Sequence, residues 1–117
     1  MHQFKELEIW KRSRLFCSKI YKITSNFPDS ERFGLTNQLR RACVSIPSNI
    51  AEGSSRSSNK DFSRFLEIAI GSAYEIETQL LIAFDLGFIN TNEIEIVSKE
   101  LNEIIRMISR FRTTLKI

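Results

Sequence analysis

The chain has 117 residues, which fits one domain spanning 1–117. Hydrophobic residues make up 42% and charged residues 26%, a soluble globular composition that excludes a disordered chain. The formal net charge is +3, from 17 Lys and Arg against 14 Asp and Glu, far from a polybasic tail.

The longest apolar run, Leu80 to Phe84, is too short to span a bilayer, so no membrane partner is expected. The opening residues lack the apolar core of a signal peptide, and Cys17 and Cys43 lie far apart inside helical patterns. Both features suit buried thiols in a reducing cytoplasm.

Gly (4) and Pro (2) are scarce, so the chain divides into a few long elements. A first helix is expected from about Lys5 to Asn26, with Ile9, Phe16, Ile20, Ile23 and Phe27 on one side. Pro28 stops it. A second starts near Asp29 or Ser30, either a good N-cap. It carries Leu35, Leu39, Ala42, Cys43, Ile46 and Ile50 to Gly53 and predicts one helix, kinked by Pro47. A third starts at Ser58, with Asp61 as capping partner, and ends at Gly87. It is apolar on more than one side: Phe62, Phe65, Leu66, Ala69, Ala73, Ile76, Leu80 and Ala83 form one face, and Ile70, Tyr74 and Leu81 extend to another. A fourth starts at Asn90, with Glu93 as capping partner. Ile94, Val97, Leu101, Ile104, Ile108, Phe111 and Leu115 alternate steps of three and four along it. Short links force antiparallel neighbours, so the expected fold is all-α: an up-down-up-down four-helix bundle.

The charge is segregated. Residues 1–64 carry 12 basic and 6 acidic groups, residues 65–98 carry 6 acidic groups and no Lys or Arg, and residues 99–117 carry 5 basic and 2 acidic groups. Lys5, Lys11, Arg12, Arg14, Lys19 and Lys22 fall on one half of the first helix, away from its apolar stripe. Such a face is either a solvated surface or a footprint for a phosphate backbone. No aromatic residue interleaves clearly with these cations, so base stacking is not expected. The two-sided apolar character of the third helix favours a homo-oligomer over a monomer.

Catalytic chemistry is not supported by the residue inventory. His2 is the single histidine, near a terminus expected to be mobile, so neither a di-iron bundle nor a Ser-His or Cys-His nucleophile is expected. Neither cysteine has a near neighbour for zinc or redox chemistry, and no phosphate loop or dinucleotide fingerprint occurs. Glu75 and Glu77 point roughly 160° apart on a helix. No enzyme, metal or cofactor is expected.

Two polar groupings stand out. Gln38, Arg41, Ser45, Asn49 and Glu52 make a stripe beside the apolar face of the second helix. It reads as a solvent face, a buried hydrogen-bond network, or a contact in which Arg40 joins Arg41, Asn49 and Glu52. Ser54 to Ser58 with Arg56 and Lys60 reads as a turn or as an anion site at a helix start.

The run Phe27-Pro28, Glu31 to Thr36, Gln38 to Ala42 and Ser45-Ile46-Pro47-Ser48-Asn49-Ile50-Ala51-Glu52-Gly53 closely resembles the bacterial four helix bundle protein family, also called 23S rRNA intervening-sequence proteins. Leu7-Glu8-Ile9-Trp10-Lys11, Asp61 to Leu66, Ala69 to Ser72, Glu75 to Leu80 and Asp85 to Ile89 add to the likeness, and the fourth helix matches in pattern. The resemblance implies an antiparallel bundle assembled as a ring-like homopentamer, in some members encoded within large-subunit ribosomal RNA genes. A related bundle is the accessory protein of diversity-generating retroelements, which contacts reverse transcriptase and nucleic acid. That implies reverse transcriptase as a distant partner, although this chain has a modest +3 and an acidic middle where that protein is strongly basic. No catalytic residues transfer. The expected function is a non-enzymatic oligomeric bundle that binds RNA or DNA weakly through Lys11, Arg12, Arg14, Lys19, Lys22, Arg40 and Arg41. The alternative is a protein-interaction scaffold with no nucleic-acid role.

Overall fold

A computed structural model describes residues 2–117. Four helices carry the fold: α1 (Glu8–Thr24), α2 (Leu35–Ser54), α3 (Asn59–Asp85) and α4 (Thr91–Thr113). Single 3-10 turns at Phe4–Glu6 and Asp29–Glu31 precede α1 and α2, and no strand occurs among the described residues. α1 packs on α2 and α4, α3 packs on the same two, and the diagonal pairs do not meet. That is an up-down-up-down bundle, 44 × 24 × 20 Å.

Helix starts follow local hydrogen bonding. α1 begins at Glu8, three residues later than expected, because Leu7 is extended and its N–H closes the preceding turn onto the Phe4 carbonyl. The aromatic side chains fix this end. Phe4 stands edge-on to Trp10 at 5.1 Å, and the His2 ring lies 5.1 Å from Phe62 and 5.7 Å from Phe111. The exposed His2 ring thus rests beside these two aromatic side chains.

α2 begins at Leu35, not at Asp29 or Ser30. Those residues form the short 3-10 turn, and the cap comes from Glu31, whose carboxylate accepts the Leu35 N–H at 3.1 Å. The helix then runs unbroken through Pro47 to Ser54.

The other ends match their sequence signals. Ser58 Oγ accepts the Asp61 N–H at 3.1 Å at the start of α3. Asn90 and Glu93 form a reciprocal capping box on α4, at 2.8 and 3.2 Å. After α3, Gly87 takes φ +78°. Its N–H donates to the Phe84 carbonyl, and the Phe88 N–H reaches the Ala83 carbonyl at 2.9 Å. These two bonds are the Schellman closure, which needs the left-handed backbone that glycine adopts without strain.

Ile20, Leu39, Ile46, Ile50, Leu66, Ile76, Leu80, Leu101, Ile104 and Ile108 fill the centre and are almost wholly excluded from solvent. Each such side chain contributes about 1.5–3 kcal/mol of burial. Leu115 lies past the end of α4 yet remains buried.

The α2–α3 interface is the most extensive. Ala42, Gly53, Ala69 and Ala73 are all buried in the bundle. A Cβ on Gly53 would sit 2.7 Å from Phe65 Cβ and 2.8 Å from Phe62 Cδ1, so the two backbones approach as closely as they do because residue 53 has no side chain. Gly71 differs: nothing lies within 4 Å of its notional Cβ. Gly53→Ala is expected to cost about 1–3 kcal/mol through overpacking. Gly71→Ala is expected to gain about 0.5–1 kcal/mol by helix propensity alone. Urea unfolding of both variants checks the pair.

Candidate functional site

The cations of α1 divide into two sets. Arg12 reaches across to α4, donating to Glu103 Oε2 at 2.9 Å, with Met107 Sδ 3.7 Å away. Lys19 pairs with Glu100 of α4. These half-exposed pairs sit in the groove between the helices and are each worth about 0–1 kcal/mol. Lys11, Arg14 and Lys22 instead lie exposed on the outer side of α1. Lys11 has a loose bond to Glu8 at 3.6 Å, and Arg14 and Lys22 have no ion-pair partner among the described residues.

Arg40 and Arg41 face different ways. Arg40 folds toward the C-terminal end of α1: Nε donates to Thr24 Oγ1 at 2.9 Å, and an Nη donates to the Tyr21 carbonyl at 3.2 Å. Its guanidinium lies 4.6 Å from the centre of the Tyr21 ring. It thus adds a further donor to the Tyr21 carbonyl, which already accepts the Ser25 N–H, and its charge sits at the negative end of the α1 dipole. Arg41 is exposed and makes no ion pair among the described residues. Of the seven cations singled out by sequence, three are therefore committed within the fold: Arg12, Lys19 and Arg40.

The polar stripe of α2 lies along the seam with α3. Ser45 and Ser72 hydroxyls meet at 2.9 Å, and Asn49 Nδ2 donates to the Ser45 hydroxyl and carbonyl at 2.9 and 2.8 Å. Further along, Gln79 Nε2 lies 3.4 Å from Gln38 Oε1 and 3.3 Å from Glu75 Oε1. Glu52 turns outward to Arg56 at 3.2 Å. Three of the five residues, Gln38, Ser45 and Asn49, thus form hydrogen bonds in the seam, while Glu52 and Arg41 stay outside it. Gln79 is 7% exposed, and its Oε1 has no hydrogen-bond partner. The Ser54 to Lys60 stretch gives its polar groups to helix ends: Ser54 and Ser55 hydroxyls donate to the Ala51 and Glu52 carbonyls, and Ser58 caps α3.

Glu75 and Glu77 diverge as their spacing implies. Glu75 accepts from Gln79 beside α2, and Glu77 accepts from Asn102 of α4 at 3.2 Å. Glu67 pairs with Arg112 at 2.7 Å. No helix among the described residues is long and apolar enough to cross a membrane, and no cluster of three or more His, Cys, Asp or Glu is placed to hold a metal.

One association runs against the sequence expectation. The Arg14 guanidinium lies 5.3 Å from the centre of the Trp10 ring, and Lys5 Nζ lies 6.0 Å from that of Phe4. Aromatic rings do interleave with the cations at the start of α1. The signal was present as the i, i+4 spacing of Trp10 and Arg14. Lys5 and Phe4 are neighbours on the turn before the helix, so helical spacing does not describe them.

A model of the 23S rRNA-intervening sequence protein family matches residues 5–110. The chain belongs to that family. The match extends through most of α4, where the sequence motifs had given pattern alone. No curated protein matches the chain. Among solved structures, the chain is similar to a Bacteroides thetaiotaomicron protein of unknown function from the S23 ribosomal protein family. The TM-score is 0.83 at 24% identity, covering 90% of this chain and 95% of that one. That likeness establishes the bundle and nothing about activity.

The two thiols respond to the core. Burial pushes the Cys43 thiol far above its ordinary range, with the neighbouring Cys17 adding to the effect, and burial raises Cys17. The folded chain thus holds these protons more tightly than the unfolded chain. The stabilisation is complete below the unfolded thiol value of about 8.5 and is lost as pH rises above it. Urea unfolding between about pH 8 and about pH 10 is expected to show falling stability, with a shallower fall in Cys43→Ala.

Proposed function

We propose that this intervening-sequence family member is a non-enzymatic bundle protein that binds RNA or DNA weakly through the outer side of α1. The observation that carries the reading is the set of exposed cations Lys11, Arg14 and Lys22 on one helix, left over after Arg12 and Lys19 have been taken up by α4. The family's link to an intervening sequence of 23S rRNA supports RNA as the partner. Few cations mean few phosphate contacts and a modest affinity that depends on salt. Three contacts give a slope of log affinity against log salt between about −2 and about −3. Fluorescence anisotropy with a structured RNA is expected to show that slope. The triple variant Lys11→Gln, Arg14→Gln, Lys22→Gln removes most of it, whereas Arg12→Gln leaves it nearly unchanged. No binding at low salt, or an unaltered slope in the triple variant, contradicts the proposal.

A second reading, self-association, has its own support. Ile68, Ile82 and Leu86 on α3 are exposed at 47%, 45% and 57%. Helical spacing places them on the side of α3 that carries Gln79, with its unpaired buried oxygen. A second subunit laid on this seam covers the apolar residues and offers that oxygen a donor. A homo-oligomer, a pentamer by the family resemblance, is the proposed state. Light scattering is expected to give a multiple of the chain mass that falls to the monomer in Ile68→Glu, Ile82→Glu. A monomeric wild-type chain contradicts it.

A further inference from the structure

The start of α1 carries a second surface feature. A groove of about 660 Å³ is lined by Lys5, Trp10, Lys11, Arg14 and Leu15. Leu15 is 67% exposed, although it follows Arg14 on an otherwise polar side of the helix. Trp10 is half-buried and held from one side by the edge-on Phe4 ring. Arg14 lies over its ring at 5.3 Å, a cation–π contact between guanidinium and indole. The three cations are exposed, and among the described residues the only acidic group paired with them is Glu8, through its loose contact with Lys11.

A surface with a fixed aromatic ring, an exposed leucine and cations between them matches a ligand that has both a planar apolar part and a nearby negative charge. Duplex nucleic acid presents only the charge, because its bases are stacked inside. A single strand presents both, and its bases stack on aromatic rings and on guanidinium planes alike. We infer that this groove is a stacking subsite for one unpaired base of single-stranded RNA or DNA. The base lies against the Trp10–Arg14 pair, and Lys5 and Lys11 hold the adjoining phosphates. The inference rests on the nucleic-acid reading above and narrows it from polyanion binding to single strands. It also gives the exposed Leu15 a role, as apolar surface covered by the base or sugar.

Trp10 is the single tryptophan of the chain, so its fluorescence reports this groove alone. The full-length protein is titrated with a single-stranded oligouridine, a duplex RNA of equal charge, polyglutamate and anionic phospholipid vesicles. Binding is followed in parallel by anisotropy or sedimentation. The expected result is quenching of Trp10 by the single strand and not by the other three, with Arg14→Gln weakening single-strand binding about tenfold. Leu15→Ser, at an exposed position, is expected to weaken the single strand and leave duplex binding unchanged. Single-strand binding without quenching, or equal binding of single strand and duplex in wild type and Arg14→Gln, overturns the stacking subsite and leaves the weaker proposal standing. Equal quenching by polyglutamate or by vesicles overturns it in favour of an acidic protein or a lipid surface. No binding of any nucleic acid overturns both readings.

Discussion

The close approach of α2 to α3 sets the rest of the structure. Gly53 leaves no room for a Cβ between the helices, with Phe62 and Phe65 pressed against it. Buried Ala42, Ala69 and Ala73 keep side chains small within the packed bundle. Backbones held this close let short side chains reach across, which is why Ser45 meets Ser72 directly and Asn49 joins them. α1 and α4 meet more sparingly, through Met107 and through long charged side chains: Arg12 to Glu103, and Lys19 to Glu100. A tight polar seam on one side and an ion-paired groove on the other follow from the same four-helix arrangement.

That arrangement decides which charges are free. In a square of four helices, α1 and α3 occupy opposite corners. The outer side of α1 carries Lys11, Arg14 and Lys22, whereas α3 from Phe65 onward has acidic groups and no Lys or Arg. The bland +3 therefore resolves into a particle with a positive edge and a negative edge. Such polarity orients encounters with a polyanion even when net charge is small. The ion pairs add little stability, as expected of half-exposed pairs, but they remove two cations from the freely exposed set on α1.

Much of the fold was legible in sequence because its signals are local. Asn90 with Glu93, and Gly87 with Phe88, fix helix ends through bonds that span three to five residues, and each formed as its spacing implied. The apolar phase of α2 was likewise enough to carry the helix through Pro47. The start of α2 was misplaced because two good N-cap residues, Asp29 and Ser30, lie in a separate 3-10 turn. The effective cap is a Glu side chain reaching forward to Leu35. The contacts of the His2 ring were not legible because nothing local shows that it meets Phe62 and Phe111, remote in sequence. The candidate site was legible as a list of cations and not as a surface. Periodicity places Arg12, Arg14 and Lys19 on one half of a helix, but the partners that take up Arg12 and Lys19 belong to α4, some 80 to 90 residues later. Arg40 and Arg41 are adjacent in sequence, yet one is bound to the C-terminal end of α1 and the other faces solvent.

The central claim is that the fold separates structural cations from binding cations. Backbone amide chemical shifts, mapped by NMR during titration with a single-stranded RNA, test it most directly. The account predicts changes concentrated on the outer side of α1 around Trp10, Lys11, Arg14 and Lys22, with Arg12, Lys19, Arg40 and α3 nearly still. Changes centred on the ion-paired cations or on the acidic α3, or no changes at low salt, would contradict it.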